Sequence, residues 1–291
     1  MKLGPRRPLL PSGPDASLEE LRAFAPSVLV EDDGTSRLWY SGHDGSTGRI
    51  LEAVQPPGRP WERLGISVDA GLAGTSDLYG VESPSVVATP EGYRMVYAGS
   101  DGLETQLHMA TSVDGHAWVP EGTFMDRDDA DAVGATHPSL VLSGDDWWLF
   151  YSGYDGTGNG RRASILAAIS SSGEKWDRLG PVLEPQGAEL AVSEPWIVAF
   201  HRRFSMFYVS DGDQEPAGSA IHLATSEDGV SWARRGVTLE GSPGTGDGLA
   251  VRSPCVARLP DGTLRLWYAG RPNGDVTAGY RLWSVDFLAE V

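Results

Sequence analysis

Four side chains able to move a proton or hold a charge stand one or two places before a proline. They are Glu82 in VESP, His137 in THP, Glu194 in SEP and Arg252 in RSP. Brought together, two carboxylates, an imidazole and a guanidinium form a reactive set. Paired carboxylates are what glycosidic cleavage requires, one as an acid of raised pKa and one as base or nucleophile. An imidazole between them can transfer a proton near neutral pH. A guanidinium can fork onto hydroxyls or hold a carboxylate ionised. The competing reading is a structural ion-pair network, since charged groups are seldom buried unpaired.

What would bring them together is a repeat. Five segments align: AFAPSVLVEDDGTSRLWYSGHDG, VESPSVVATPEGYRMVYAGSDG, ATHPSLVLSGDDWWLFYSGYDG, VSEPWIVAFHRRFSMFYVSDG and VRSPCVARLPDGTLRLWYAGRPNG. Their prolines, Pro26, Pro84, Pro138, Pro195 and Pro254, are 58, 54, 57 and 59 residues apart. A second mark follows each of the first four, at Trp61, Trp118, Trp176 and Trp232, spaced 57, 58 and 56. Two independent marks with one period define a repeat unit. Each unit reads as four strands: one beginning at the proline, an aromatic one such as MVYAG, one like QLHMATS, and one running on from the Trp. Proline suits the first residue of a strand, where the ladder does not demand its missing N–H. TPEG, LPDG and SVDG carry the residues hairpins need. The expected fold is all-β, a five-bladed β-propeller of four-stranded antiparallel blades forming a single domain over 1–291. The last unit stops after its third strand, so N-terminal RRPLLPSG is expected to complete the fifth blade and close the ring.

Loop length then assigns a functional face. The connections into each inner strand are long (DAGLAGTSDLYGVES, DRDDADAVGATH, EPQGAELAVSE and EGSPGTGDGLAVRS), and HDGSTG and YDGTGNG lie on the same side. Long loops on one face of a rigid scaffold mark a binding face. The residues before the five prolines should ring one cavity there: Phe24 and Ala25, Glu82 and Ser83, Thr136 and His137, Ser193 and Glu194, Arg252 and Ser253.

Composition limits the ligand. The net charge of −17 and pI near 4.6 lack the basic footprint that phosphate backbones require, so no nucleic acid is expected, nor an anionic membrane. A neutral sugar or a cation fits better. No signal peptide or membrane span is legible, and the single cysteine, Cys255, forms no internal disulfide, which predicts a soluble cytoplasmic protein. Glycine-rich phosphate loops opening a helix are absent, so no cofactor is expected, although a metal ion on the axis is compatible with the ring. MDRDDADAVG lacks the spacing and terminal Glu of a calcium loop and reads as a solvated acidic loop. The blade-periodic Trp residues and Tyr40, Tyr97, Tyr151, Tyr208 and Tyr268 read as core, His108 and His222 as structural, and Cys255 as buried and inert. Asp44 and Asp155 sit in DG turns that explain them by geometry alone, yet their loops lie on the functional face and make them candidate sugar contacts.

The units SVVATPEGYRMVYAGSDG…LHMATSVDGHAW and VARLPDGTLRLWYAG resemble the five-bladed propeller glycosidases, glycoside hydrolase families 43, 32, 68 and 130, over essentially the whole chain. Family 43 places acidic residues at positions matching Ala25, His137 and Glu194, and only Glu194 keeps its carboxylate, directly before Pro195. VESP resembles the second-blade acidic motif of families 32 and 130, and Arg252 resembles a sugar-binding arginine of family 43. The resemblance implies a carbohydrate-active enzyme for a small, furanose-containing glycoside. In it Glu194 would be the general acid, Glu82 the base or charge stabiliser, His137 a proton-transfer group, Arg252 an anchor, and Trp196 and Phe24 contacts to the sugar. Two other readings keep the fold: a dehydratase or lyase acting on a sugar or nucleoside, and a non-catalytic sugar-binding propeller.

Overall fold

The alternation and glycine-rich turns of each unit produce an antiparallel meander. A computed structural model describes residues 2–10, 14–160, 162–200, 203–212, 219–273 and 279–288. Two short strands come first, β1 (Lys2–Leu3) and β2 (Arg7–Pro8). The units follow: β3 (Arg22–Val30), β4 (Ser36–His43), β5 (Gly48–Gln55) and β6 (Glu62–Val68); then β7 (Gly80–Thr89), β8 (Gly92–Ser100), β9 (Thr105–Ser112) and β10 (Val119–Thr123). The third holds β11 (Gly134–Ser143), β12 (Asp146–Tyr154), β13 (Ala163–Ser170) and β14 (Asp177–Leu183). The fourth holds β15 (Glu189–Phe200), β16 (Arg203–Gly212), β17 (Ala220–Ser226) and β18 (Ala233–Leu239), and the last β19 (Ala250–Arg258), β20 (Leu264–Arg271) and β21 (Arg281–Leu288). No α-helix occurs among the described residues.

Within a unit each strand pairs antiparallel with the next, and single parallel bridges such as Gly48 to Gly80 join one unit's third strand to the following inner strand. Second strands are buried on both faces, which is why LWYSG and LFYSG read as unbroken apolar runs. Outer strands alternate, as β6 does. β21 pairs with β1 through Lys2 and Leu3 and with β2 through Arg7 and Pro8. The part of RRPLLPSG at 11–13 lies outside the described residues.

Two corrections concern sequence expectations. The inner strands do not begin at the proline. They begin four to six residues earlier and run through it, with the register jumping between Phe24 and Ser27, Glu82 and Ser85, Thr136 and Ser139, Ser193 and Trp196, and Arg252 and Cys255. Proline is tolerated there because it occupies a bulge. Nor is the acidic loop 125–134 simply solvated, for Asp131 is 1% exposed.

Asp131 belongs to a device that recurs in four units, with a variant at Tyr208 in the fourth. Tyr151 donates to Asp131 (3.2 Å), Tyr97 to Asp77 (3.2 Å), Tyr268 to Asp247 (2.8 Å) and Tyr40 to Glu19. Arginines close the clamp: Arg63 on Glu19, Arg178 on Asp131 at 3.0 Å, Arg234 on Glu189 at 2.8 Å and beside Tyr208, and Arg6 on Asp247. The tyrosines are core, as expected, but their hydroxyls anchor the long loops. In the second unit Pro120 stands where the fourth strand elsewhere carries arginine. There His108, stacked on Tyr97, faces Asp77 instead.

Side chains just after the prolines tie one unit to the next. Ser27 Oγ accepts from Val86 N (3.0 Å), Ser85 Oγ from Leu140 N (2.9 Å) and Ser139 Oγ from Ile197 N (2.9 Å). Cys255 Sγ accepts from Val28 N at 3.3 Å, linking the last unit to the first. The thiol is fully buried, and burial pushes its pKa far up. Cys255 should therefore resist thiol reagents until the chain unfolds, at a labelling rate equal to the unfolding rate in mild denaturant. Because serine does the same work in three other units, Cys255→Ser should cost no more than about 1 kcal/mol in urea unfolding.

Candidate functional site

All five residues that immediately precede these prolines adopt left-handed backbone. Their φ values are 47° at Ala25, 57° at Ser83, 48° at His137, 55° at Glu194 and 51° at Ser253. For a non-glycine residue this costs about 1–2 kcal/mol, and a following proline adds its own restriction. Hydrogen bonds hold several of them. Ser83 N donates to Ser41 Oγ (2.7 Å), Glu194 N to Ser152 Oγ (2.8 Å) and Ser253 N to Glu194 Oε2 (2.7 Å). The effect of such a bulge is to re-aim a side chain. Ala25, Ser83, His137, Glu194 and Ser253 line one cavity together with the five prolines and Trp196. Its free volume is about 20 Å³, room for a single water and not for a sugar. A larger ligand would have to sit over its mouth, on the face where the long loops lie.

Glu194 is the best-satisfied carboxylate there. Oε1 accepts from Arg252 Nε at 2.7 Å and Nη2 at 2.6 Å, and Oε2 from the Ser253 amide and hydroxyl at 2.7 and 2.8 Å. His137 Nε2 lies 3.8 Å from Oε2, while its Nδ1 meets Thr136 Oγ1 at 3.0 Å. Glu194 is 5% exposed, and burial alone would raise its pKa. Arg252, then His137 and the Ser253 hydroxyl, outweigh burial and bring the carboxyl down to about 2. Arg252 also bonds Asp211 through Nη1 at 3.0 Å, and its two carboxylates more than offset burial in keeping it charged. Tyr154 and Tyr280 stand within the field of this group. Burial, then the Glu194 charge, pushes the Tyr154 phenol up to about 12, and burial raises Tyr280 against the opposing charge of Arg252.

With this geometry in place, known proteins can be compared. No family model matches the sequence. An uncharacterized protein of Mycobacterium tuberculosis is 25% identical over 267 residues, covering 84% of this chain and 87% of its own. Among solved structures, a thermostable family-43 glycoside hydrolase superposes with a TM-score of 0.74 at 15% identity, over 92% of this chain and 90% of its own. An endo-arabinase from Bacteroides thetaiotaomicron has a TM-score of 0.67 at 15% identity, over 94% and 97%. The fold is that of the propeller glycoside hydrolases.

Against that fold, the structure sorts the residues singled out by sequence. Glu194, His137 and Arg252 meet at the cavity mouth. Glu194, as an ionised carboxylate with every oxygen engaged, has no proton to give, so the general-acid role read from the resemblance does not fit it. Glu82, two places before its proline, does not line the axial cavity; it is half-buried, and its carboxylate forms no hydrogen bond or ion pair with any described residue. Asp44 is occupied by Ser46, Thr47 and Arg49, and Asp155 by Thr157 with Arg162 at 3.7 Å. Both are turn caps in this state. Trp196 donates Nε1 to Val256 O at 3.0 Å and packs between units, with one edge on the axial cavity. Phe24 is 9% exposed and packs with Tyr280 beneath the Arg22 guanidinium. Among the described residues no three His, Cys, Asp or Glu side chains are grouped to hold a metal ion.

Sequence reasoning missed Asp211, Tyr154, Tyr280 and the hydroxyl of Ser253. Asp211 had a signal: YVSDG is one residue shorter than YSGYDG, which moves its Asp into the place that Tyr154 holds in the third unit and His43 in the first.

Proposed function

We propose that the chain is a five-bladed propeller, closed by its N-terminal strands, that acts on a small, furanose-containing glycoside over the axial mouth. The five bulged prolines, the Val28–Cys255 bond and the pairing of β21 with β1 and β2 support the closed ring. The likeness in fold to an endo-arabinase supports the sugar class.

One observation carries the assignment of roles. The axial cavity holds one carboxylate saturated with donors, Glu194, and beside it stands one with none among the described residues, Glu82. Groups whose environments diverge in this way divide the labour of acid–base chemistry. In this reading Glu194, Arg252 and Asp211 form a fixed polar anchor for sugar hydroxyls. Glu82 takes the proton of a water as its oxygen bonds to the anomeric carbon. His137 gives its Nε2 proton to the departing oxygen as the glycosidic bond breaks. Phe24 and Tyr280 supply an apolar wall.

The test is turnover of aryl furanosides, aryl pyranosides and nucleosides followed by mass spectrometry, with Glu82→Gln alongside. Products summing to substrate plus water, with kcat reduced about 10²–10⁴-fold in the variant, are expected. A product lighter by one water would establish elimination instead. Unchanged turnover by Glu82→Gln would remove Glu82 from the mechanism, and sugar binding with no turnover would make this a binding propeller.

A further inference from the structure

Almost every described arginine of this acidic chain that is not surface-exposed has an acceptor. Arg37 bonds Glu52, Arg49 bonds Asp44 and Asp69, Arg94 bonds Gly173 O, and Arg63, Arg178, Arg234, Arg252 and Arg265 each meet a carboxylate. Arg22 breaks the pattern. It is half-buried, its Nε is wholly shielded from solvent without a hydrogen-bond partner, and no described residue accepts from it or pairs with it. Its one close partner is the ring of Phe24, 4.8 Å below Cζ. A shielded guanidinium nitrogen with no acceptor is costly.

Its position gives the cost a purpose. Arg22 opens β3 at the same end as the ring residues and is paired in register with His43 at the end of β4. The neighbouring residue Ala23 bonds Tyr280 O, placing Arg22 beside the wall formed by Phe24 and Tyr280. His43 Nδ1 accepts from Gly45 N at 2.9 Å, so the neutral imidazole carries its proton on Nε2. Two donors, one of them a fork, thus lie on the first-unit side of the mouth, next to the unit that carries Arg252.

We infer that Arg22, assisted by His43, binds a carboxylate carried by the substrate, so that the sugar is a uronic or aldonic acid or a glycoside of one. The planar fork of a guanidinium matches the two oxygens of a carboxylate. A single arginine balances one negative charge. A phosphate dianion would find neither a helix N-terminus nor a second unpaired arginine among the described residues here. The overall charge of −17 disfavours polyanions at long range, but a single carboxylate is screened beyond about 8–10 Å and is decided by its local partner. This inference rests on the sugar-binding reading above and not on its hydrolytic step.

The experiment is ligand-observed NMR titration of the full chain with glucuronate, galacturonate, mannuronate and gluconate, each beside its neutral parent sugar, and with inorganic phosphate. Wild type and Arg22→Gln are compared, with the melting temperature of each as the check on folding. The expected result is at least one acid bound tenfold or more tightly than its neutral parent, with the preference abolished in Arg22→Gln while the neutral sugar is unaffected. No acid preference, a preference that survives Arg22→Gln, or Arg22-dependent binding of phosphate alone would each overturn the carboxylate site. Glu82→Gln separates the two proposals. An acid preference retained without turnover in wild type would leave this site standing and remove the hydrolytic reading.

Discussion

Replacing Arg6 by methionine is expected to destabilise the protein by about 3–5 kcal/mol, although Arg6 belongs to no regular strand and lies near the N-terminus. The reason is Asp247, which is 0% exposed and shared by Arg6, Tyr268 and Thr245. Removing one partner of a buried pair leaves an uncompensated charge, and that is the costly direction of change. Arg7→Met, next along the chain, serves as the control. Arg7 is half-exposed and meets Asp286 at 3.1 Å, an ion pair that Arg265 duplicates, so its loss should cost under about 1 kcal/mol. Urea unfolding of the two variants decides the matter, and equal effects would show that the clamp at Asp247 contributes nothing special.

That clamp also marks the limit of what the sequence made legible. Pro26, Pro84, Pro138, Pro195 and Pro254, with the Trp series, were enough to define the units, because proline and tryptophan are rare and their period is constant. The clamp acids Glu19, Asp77, Asp131 and Asp247 sit in loops of unequal length and composition, so no alignment of loops finds them. They are regular only when counted from the tyrosines they bind, 20 or 21 residues ahead. The site was half legible for a different reason. Stepping one residue or two back from a proline looks equivalent in a string of letters. A bulge makes them different, aiming Glu194 and His137 at the axis and leaving Glu82 beside it.

Glu194→Gln should affect stability and ligand recognition together. Its folded pKa of about 2 lies below the ordinary value of 4.5. A depressed carboxyl contributes stability that is fully present above its unfolded pKa and is lost as pH falls through the folded one. The wild-type protein should therefore lose about 3 kcal/mol between about pH 5 and pH 2 from this group. Urea unfolding at steps from pH 7 to pH 3 should show Glu194→Gln less stable by about 2–5 kcal/mol at neutral pH, because Arg252 keeps only Asp211, with a flatter acid limb. Sugar affinity should fall at least tenfold, since the anchor loses its fixed geometry. Were the acid limb identical in the two proteins, the titration of Glu194 would not be coupled to folding, and its ion pair with Arg252 would be absent in solution.

The five left-handed residues ahead of the prolines have a consequence for how such a protein can change over generations. Their backbone shape is imposed by what surrounds them, the proline after and the serine hydroxyls that catch the amides of Ser83 and Glu194. It does not depend on the side chain they carry. Alanine, serine, histidine, glutamate and serine occupy the same five sockets in one molecule. A socket that accepts any of these is one in which a point mutation can exchange the chemistry at the axis without asking the blade to refold. Divergence in this architecture can therefore run through single substitutions at five addresses, while the strands that carry them stay as they are.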